Sequence, residues 1–480
     1  SVIFIMFESN ISEAGEYATQ YFAWWIVLAF IAHTAFAIFL WTRLRPVYLP
    51  RGQSIVAAIA IVLAVVGYPL VKQIATSETM ELAIDRFETR IEPAVPWQMI
   101  VAYRRYTEQL DNMQGMLTSA SKIPPLNNLK DSMAGQPSTL VLVIGESTNR
   151  QRMSLYGYPR NTTPELDKLR DQLAVFDNVI TPRPYTIEAL QQVLTFADEE
   201  NPDLYLKTPS IVSVMKQAGY KTYWITNQQT MTKRNTMLTT FSEQADEQVY
   251  LNNNRNQNAR QYDGDVLAPF SKALADTAER KFIVVHLLGT HMSYQYRYPQ
   301  TFDKFTDRQG VPAGVSDAQL PTYNSYDNAV LYNDFVVSSL IKDYAKTDPN
   351  GFLLYLSDHG EDVFDSAGHD TLGRNEGKPT APMYTIPFMA YASPKWRESH
   401  DWSFAGDLQR PYSSSQLIHT WADMAGLSFD ELDHSKSLVS DSFKPRPLLI
   451  GNPYETKQKA LIDFSLIKPK KADGAEVVAK

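Results

Sequence analysis

Two long runs without Lys, Arg, Asp or Glu lie near the N-terminus and constrain the fold more than any other feature. They are Tyr21 to Trp41 (YFAWWIVLAFIAHTAFAIFLW) and Ser54 to Val71 (SIVAAIAIVLAVVGYPLV). At about 1.5 Å of rise per residue both can cross a hydrocarbon core of about 30 Å, the second only just. Aromatic residues flank the first run, as is common at membrane interfaces. We therefore predict a transmembrane hairpin at 21–41 and 54–71 rather than two buried core helices.

The charges around these runs indicate their orientation. The connecting loop carries Arg43, Arg45 and Arg51 but no acid, whereas the first twenty residues carry glutamates and no base. Because Lys and Arg favour the cytoplasmic side, we expect the loop there and everything after Lys72 in the periplasm or outside the cell. Since the chain begins at Ser1 and opens on an apolar stretch, we also expect 1–72 to be a fragment of a larger membrane domain.

Beyond residue 72 the pattern of apolar and charged residues divides the chain into two further segments. Residues 73–137 mix charged and apolar groups in a way typical of amphipathic connecting helices. From 138 to 480, apolar runs alternate with amphipathic segments, which predicts an α/β domain with a mostly parallel sheet covered by helices on both faces. The predicted strands are Thr139–Ile144, Leu173–Val179, Lys221–Thr226, Phe282–Leu288, Phe352–Leu356 and Ile386–Tyr391, and the predicted helices are Thr163–Arg170, Thr186–Phe196, Pro209–Ala218, Tyr326–Tyr344 and Ser414–Ala425.

Composition excludes two classes of protein. The chain has no cysteine, so a domain outside the cytoplasm cannot rely on disulfides and must be held by its core or by metal. Its formal net charge of -8 argues against a nucleic-acid partner.

A candidate metal-binding turn follows one of the predicted strands. Asp358-His359-Gly360-Glu361 stands directly after the apolar run Gly351 to Ser357. Carboxylate oxygen and imidazole nitrogen together suit a divalent ion such as zinc, and open α/β sheets place their ligands at the carboxyl ends of strands. Glu146 follows a second strand in the same way. Alone it would more often be a solvated acid, but with Asp358 and His359 it completes three ligands and leaves one exchangeable position.

The exchangeable position can hold a nucleophile. Thr186 opens a predicted helix, where free backbone N–H groups favour an attacked phosphate, although an ordinary N-cap threonine fits the same pattern. A bound zinc ion would lower the pKa of the hydroxyl. His291 and His369 follow as candidate phosphate donors, general acids or second-metal ligands, and each would be a surface or core histidine if it stood alone.

Long stretches of this chain resemble a known family. Gly145 to Leu166, Asn178-Val179, His286 to His291 and Ser357 to Glu361 resemble the membrane-bound phosphoethanolamine transferases of the alkaline phosphatase and sulfatase superfamily. Ser154-Leu-Tyr-Gly-Tyr-Pro-Arg160 and Trp224-Ile-Thr-Asn-Gln-Gln229 are most similar to the branch that acts on heptose I phosphate of the lipopolysaccharide inner core.

The resemblance implies a reaction and a site. It implies zinc (Zn2+) held by Glu146, Asp358 and His359, with Thr186 as nucleophile and fourth ligand. It also implies that His291 and His369 contact substrate phosphates. The implied donor is phosphatidylethanolamine and the implied acceptor a phosphate of the lipopolysaccharide core. Family members have five membrane helices in the bacterial inner membrane and a periplasmic catalytic domain, so the two helices here would be the fourth and fifth.

The chain departs from the family pattern near the nucleophile. Many relatives have a disulfide-bonded Cys where this chain has Pro182, which makes Thr181 a rival nucleophile. Gln228 and Lys233 lie near the expected phosphoethanolamine contacts without a clean match, and we expect Glu361 to support the ligands from outside the metal's coordination sphere. Two alternatives stay open: a metal-dependent phosphodiesterase or sulfatase-type hydrolase, and a catalytically inactive membrane scaffold of the same fold.

Overall fold

The computed structural model describes residues 24–44, 48–76, 100, 103–104, 107, 125–228, 237–252, 262–400, 404, 406–454 and 461–467. The chain divides into an N-terminal unit, 1–111 with 255–258, and a larger unit, 112–254 with 259–480. The N-terminal unit holds the apolar helices, and the larger unit holds the sheet.

Both apolar runs of the N-terminal unit are helical. Helix α1 spans Trp24–Arg43, and α2 spans Arg51–Val62 and continues through a π-helical turn, Leu63–Gly67, into α3, Tyr68–Thr76. The stretch Arg51–Ala75 is long and apolar enough to cross a membrane, whereas the apolar part of α1 is shorter. The second helix therefore extends beyond both ends of the predicted 54–71. An apolar helix with no buried residue, as α2 is, suits a lipid environment.

The larger unit alternates strands and helices. In chain order its strands are β1 (Lys130–Asp131), β2 (Ser138–Gly145), β3 (Leu173–Val175), β4 (Val179–Ile180), β5 (Lys221–Thr226), β6 (Glu247–Tyr250), β7 (Arg280–His286), β8 (Phe352–Ser357), β9 (Asp362–Val363), β10 (Leu372–Gly373), β11 (Phe388–Ala392), β12 (Tyr412–Ser413), β13 (Leu427–Ser428), β14 (Leu449–Ile450) and β15 (Ile462–Asp463). Its helices are α4 (Pro164–Asp167), α5 (Thr186–Val193), α6 (Ile211–Gln217), α7 (Met237–Ser242), α8 (Leu267–Leu274), α9 (Leu320–Lys346), α10 (Ala381–Tyr384), α11 (Pro394–Ser399) and α12 (Leu417–Met424).

Seven of these strands form the central sheet, in the order β3-β11-β8-β2-β7-β5-β6. The run from β8 to β6 is parallel, while β11 is antiparallel to both β8 and β3. β2 is completely buried, as expected for a strand with parallel neighbours and covered faces, and this explains why its sequence reads as a continuous apolar run. The predicted mostly parallel sheet is confirmed.

Helices cover both faces of the sheet. Val141 and Val143 of β2 lie in a core cluster with residues of α8 and α9 on one face. On the other face Trp421 of α12 packs against Phe282 and Phe352, with ring centroids 5.1 and 5.0 Å apart. Large aromatic side chains on both sides bury enough apolar surface to hold a domain that has no disulfides.

The structure differs from the sequence prediction at several elements. The predicted strand Leu173–Val179 is two strands, because β3 pairs with β11 and β4 pairs with β12 in another sheet. The strand β6 and the helix α8 were not predicted. Most of the predicted connector 73–137 lies outside the described residues, within which 73–76 belong to α3 and β1 begins at Lys130. The limits predicted for the domains remain predictions.

Candidate active site

Glu146 and Asp358 meet because their strands are neighbours in register. Gly145 at the end of β2 pairs with Ser357 at the end of β8, so the next residue of each strand emerges at the same edge of the sheet. The Asp358 backbone N–H donates to the carbonyl of Gly145 (3.0 Å). His359 follows at once, with Nε2 3.0 Å from Oε1 of Glu146 and 3.4 Å from Oδ2 of Asp358. The sheet topology thus assembles the three predicted ligands.

The donor atoms of this cluster fit a metal ion such as zinc. Ligand atoms of Glu146, Asp358 and His359 lie within 4.8 Å of one another, and all three residues are buried. Nδ1 of His359 lies 2.8 Å from the carbonyl of Gly360, so we assign the ring proton to Nδ1 and the lone pair to Nε2, facing the carboxylates. Oδ2 of Asp358 is buried without a hydrogen-bond partner among the described residues. This Oδ2 of Asp358 and the Nε2 lone pair of His359, which faces it, are the kinds of oxygen and nitrogen donor that zinc prefers.

The electrostatics of the cluster favour a cation. Burial raises the pKa of Asp358, and the nearby Glu146 carboxylate raises it further. Burial also opposes ionisation of Glu146, but the neighbouring His359 outweighs it and holds the pKa of Glu146 well below its usual range. Burial lowers the pKa of His359, which keeps the imidazole neutral and able to coordinate. Two acids and a neutral histidine in a buried space attract a divalent ion.

Thr186 lies inside this cluster, at the first residue of α5. Its hydroxyl donates to Oε2 of Glu146 (2.9 Å) and lies 3.3 Å from Nε2 of His359. The rival residue Thr181 is fully buried, and its hydroxyl donates instead to the backbone carbonyl of Arg183 (3.1 Å). The structure therefore brings Thr186, and not Thr181, to the predicted ligands.

The loop after β7 holds the backbone of Glu146 in place. The Thr290 backbone N–H donates to the carbonyl of Glu146 (2.9 Å), and the Thr290 hydroxyl does the same (3.1 Å). Buried Asp263 accepts hydrogen bonds from the N–H groups of Leu288 (2.9 Å) and Gly289 (2.7 Å) and so anchors this loop. Gly289 has φ +55°, and a Cβ there would lie 2.6 Å from the Glu146 carbonyl oxygen. Only glycine allows this close approach.

Gln228 also reaches the cluster. Its side-chain amide donates to Oε2 of Glu146 (3.2 Å) and to the carbonyl of Leu287 (3.0 Å). Gln228 follows β5, which is separated from β2 by β7, so the ends of β8, β2 and β5 all contribute side chains to the same edge of the sheet. Lys233 lies outside the described residues.

The two predicted phosphate histidines have different positions. His291 is half-buried, and the charge of Glu146 acts on it, which indicates that it lies near the cluster. Burial lowers the pKa of His291 to about 3, and the charge of Glu146 opposes that shift. His369 has its Nδ1 2.6 Å from the carbonyl of Phe364, and its carbonyl accepts a hydrogen bond from Gln319 (2.7 Å). His291 thus interacts with Glu146, whereas His369 makes no hydrogen bond to the three predicted ligands among the described residues, and its role stays a prediction.

Arg374 is a site residue that sequence reasoning missed. Its Nη1 donates to Nε2 of His359 (2.6 Å) and lies 3.7 Å from Oε1 of Glu146. Glu361, which is fully buried, exerts the strongest attraction on this guanidinium and helps to raise the pKa of Arg374, although burial alone would lower it. The signal was weak, because Arg374 stands in a polar loop among several other charges, and only the β9–β10 pairing returns it to the metal turn.

The sequence and fold of this chain are similar to those of known proteins. The Sulfatase family matches residues 138–427. Phosphoethanolamine transferase EptC of Escherichia coli O18:K1:H7 is 54% identical over 97% of this chain and 82% of its own length. Phosphoethanolamine transferase CptA of Salmonella typhimurium is 55% identical with the same coverage.

The chain belongs to the phosphoethanolamine transferases. It also belongs to the Sulfatase family, and both memberships confirm the predicted superfamily, α/β fold and enzyme class, a transferase. The crystal structure of the C-terminal periplasmic domain of EptC from Escherichia coli in complex with Zn is similar too. It is 58% identical, has a TM-score of 0.70, and covers 72% of this chain and 98% of that domain.

Proposed function

We propose that this transferase moves phosphoethanolamine from phosphatidylethanolamine to a phosphate of the lipopolysaccharide core through a covalent intermediate on Thr186. The acceptor that we propose is heptose I phosphate. One observation carries the proposal: the Thr186 hydroxyl lies 2.9 Å from a carboxylate oxygen of Glu146 and 3.3 Å from Nε2 of His359, inside the buried metal-type cluster. The names of the EptC and CptA relatives and the zinc in the Escherichia coli domain support it.

Zinc would be held by Glu146, Asp358 and His359, with the Thr186 oxygen as fourth ligand. When bound, it supplies positive charge that lowers the pKa of the hydroxyl and favours the nucleophilic oxygen near neutral pH. The chain's own residues position the reacting atoms. Helix α5 presents Thr186, and the Ser147 hydroxyl donates to Oε1 of Glu146 (2.8 Å), which orients that carboxylate.

The transfer takes two balanced steps. In the first, the Thr186 oxygen attacks phosphorus, the phosphorus–oxygen bond to diacylglycerol breaks, and the leaving oxygen gains a proton as the threonine loses one. In the second, an oxygen of the acceptor phosphate attacks phosphorus and the Thr186 oxygen leaves and regains its proton. Glu146 already accepts the hydrogen bond of this hydroxyl, so it orients the attacking oxygen.

Histidine supplies a further hydrogen-bond donor. His291 lies close enough to the cluster to interact with Glu146, and as a neutral imidazole it can stabilise a phosphate oxygen through its N–H. In the role predicted for His369, Nδ1 keeps its contact with the carbonyl of Phe364, which orients the ring, and Nε2 contacts the substrate phosphate.

The lipid nature of donor and acceptor supports a membrane location. The two apolar helices would anchor the chain in the bacterial inner membrane, as part of a multi-pass domain, with 138–480 in the periplasm and 73–137 as the connector. Anchoring confines the search for lipid substrates to a surface and raises their effective concentration.

The test is an intact-mass measurement on the full chain in detergent with phosphatidylethanolamine and zinc. We expect a phosphoethanolamine mass on Thr186 and release of diacylglycerol. Thr186→Ala should fold and bind zinc but form neither product, whereas the matched variant Thr181→Ala should form both. An adduct that persists in Thr186→Ala would refute the assignment.

A hydrolase is the second candidate, because the Sulfatase family matches more than half of the chain. In that case water replaces the acceptor phosphate in the second step. Products measured with and without lipopolysaccharide separate the two, since a hydrolase releases free phosphoethanolamine at the same rate in both.

A further inference from the structure

Arg374 lies beside two of the metal-ligand candidates, His359 and Glu146. The short hairpin of β9 and β10 follows Glu361 directly and returns the chain to the metal turn, and Arg374 is the first residue after β10. The guanidinium is 14% exposed, so it is neither a surface charge nor sealed off from a ligand.

Two distances to a shared atom place this guanidinium within about 6 Å of the hydroxyl oxygen of Thr186. Nε2 of His359 is 2.6 Å from Nη1 of Arg374 and 3.3 Å from the Thr186 oxygen, so those two atoms are no more than about 6 Å apart. A phosphorus atom about 3–3.5 Å from the attacking oxygen, with one of its own oxygens about 2.8 Å from a guanidinium N–H, spans that gap.

The charges of the site favour a fixed cation in addition to the metal. The carboxylates of Glu146, Asp358 and Glu361 all attract Arg374, and when all three are ionised they carry three negative charges. A divalent ion balances only two of them, and the phosphodiester of the donor adds another. Arg374 supplies the missing positive charge next to the position of the reacting phosphate.

The lone pair of His359 Nε2 can bind a guanidinium N–H or a metal, but not both at once. A metal on Nε2 therefore frees N–H groups of Arg374 for another acceptor. From these contacts we infer that Arg374 is a catalytic residue that binds the non-bridging oxygens of the phosphoryl group during attack by Thr186. This role rests on the proposed function and adds a residue to it.

The experiment compares Arg374→Gln, Arg374→Lys and a matched charge control in the full chain in detergent. The control, Lys378→Gln, removes one positive charge from an exposed position of the same loop. Zinc affinity is measured by chelator competition, affinity for added phosphoethanolamine by calorimetry on zinc-loaded protein, and adduct formation with phosphatidylethanolamine by rapid-quench mass measurement.

In Arg374→Gln we expect unchanged or tighter zinc binding, because a competitor for Nε2 is gone. We also expect at least 10-fold weaker phosphoethanolamine binding and adduct formation slowed about 100-fold, the usual effect of removing one donor to a developing oxyanion. The phosphoethanolamine affinity and the rate of adduct formation of Arg374→Lys should lie between those of Arg374→Gln and the unsubstituted protein. Lys378→Gln should match the unsubstituted protein in both measurements. If Arg374→Gln does not fold, Arg374→Lys carries the same comparison.

Two results would overturn the role of Arg374. One is equal phosphoethanolamine affinity in Arg374→Gln and the unsubstituted protein; the other is loss of zinc in Arg374→Gln, which would make Arg374 a support of the metal ligands. Absence of an adduct in the unsubstituted protein would instead refute the proposed transfer, and the affinity measurement would still decide about Arg374.

Discussion

Replacing Gly289 with alanine tests how the loop after β7 holds the metal ligand Glu146. Gly289 has φ +55°, and its backbone lies against that of Glu146: an added Cβ would be 2.6 Å from the Glu146 carbonyl oxygen and 2.7 Å from its nitrogen. Both contacts are with backbone atoms, which cannot rotate away. Glu146 or the loop must therefore move.

The cost has two sources. The left-handed conformation costs a non-glycine residue about 1–2 kcal/mol. Overpacking of a buried backbone contact adds about 1–3 kcal/mol. We expect Gly289→Ala to lower the free energy of unfolding by about 2–5 kcal/mol and to weaken zinc binding by at least about 10-fold, since displacement of one ligand atom costs more than 1.4 kcal/mol of binding.

The control is Gly135→Ala, because Gly135 has φ +74° but nothing within 4 Å of an added Cβ. It isolates the conformational strain, at about 1–2 kcal/mol and with zinc affinity unchanged. Urea unfolding followed by near-ultraviolet circular dichroism measures stability, and chelator competition measures zinc affinity. The reasoning fails if Gly289→Ala is no less stable than Gly135→Ala and binds zinc as tightly as the unsubstituted protein.

Two further predictions concern the metal and the pH dependence of stability. If zinc is present at about 1,000 times its dissociation constant, removing it with a chelator should lower the free energy of unfolding by about 4 kcal/mol. The effect should vanish in a double variant, Glu146→Gln with Asp358→Asn. Thermal unfolding with and without chelator checks this, and an equal chelator effect in the double variant would contradict it. Burial lowers the pKa of His419 to about 4, and the backbone N–H of Asp433 donates to its Nδ1 (3.2 Å). The folded state thus favours neutral His419, so its contribution is complete above its ordinary pKa of about 6.5 and is lost as the pH falls from there towards 4, by at most about 3 kcal/mol. His419→Asn keeps an acceptor and should reduce the pH dependence of the free energy of unfolding in urea between pH 6.5 and 4, compared with the unsubstituted protein; equal slopes in the two proteins would count against this account.

Most of the central sheet could be predicted from the sequence. Strands β2, β5, β7 and β8 are buried inside the sheet, β8 between parallel β2 and antiparallel β11 and the other three between parallel neighbours, so their apolar runs stand out. The strand β6 was missed because it lies at the edge of the sheet, with three of its four residues exposed, and its sequence Glu-Gln-Val-Tyr lacks an apolar run.

The break between β3 and β4 could not be predicted either. Leu173 to Val179 was predicted as one strand although Asp177 and Asn178 interrupt its apolar residues, and its two ends pair with strands more than two hundred residues away in sequence, Phe388–Ala392 and Tyr412–Ser413. Local composition carries no information about such partners.

The candidate site divides in the same way. Glu146, Asp358 and His359 were predictable because each follows an apolar strand, and Thr186 because it opens a helix. Arg374 was missed and the role of His369 stays a prediction, because both stand in loops whose course depends on the pairing of β9 with β10 and on contacts such as that of His369 with Gln319.

The sequence by itself thus determined the kinds of element, the family and the chemistry of the ligands, since these depend on side-chain type and local periodicity. Only the tertiary structure decided which strand ends are adjacent, that Gly145 pairs with Ser357, and which cation faces Thr186. Those relations depend on contacts between residues far apart in the chain, and their geometry is set by packing of the whole sheet.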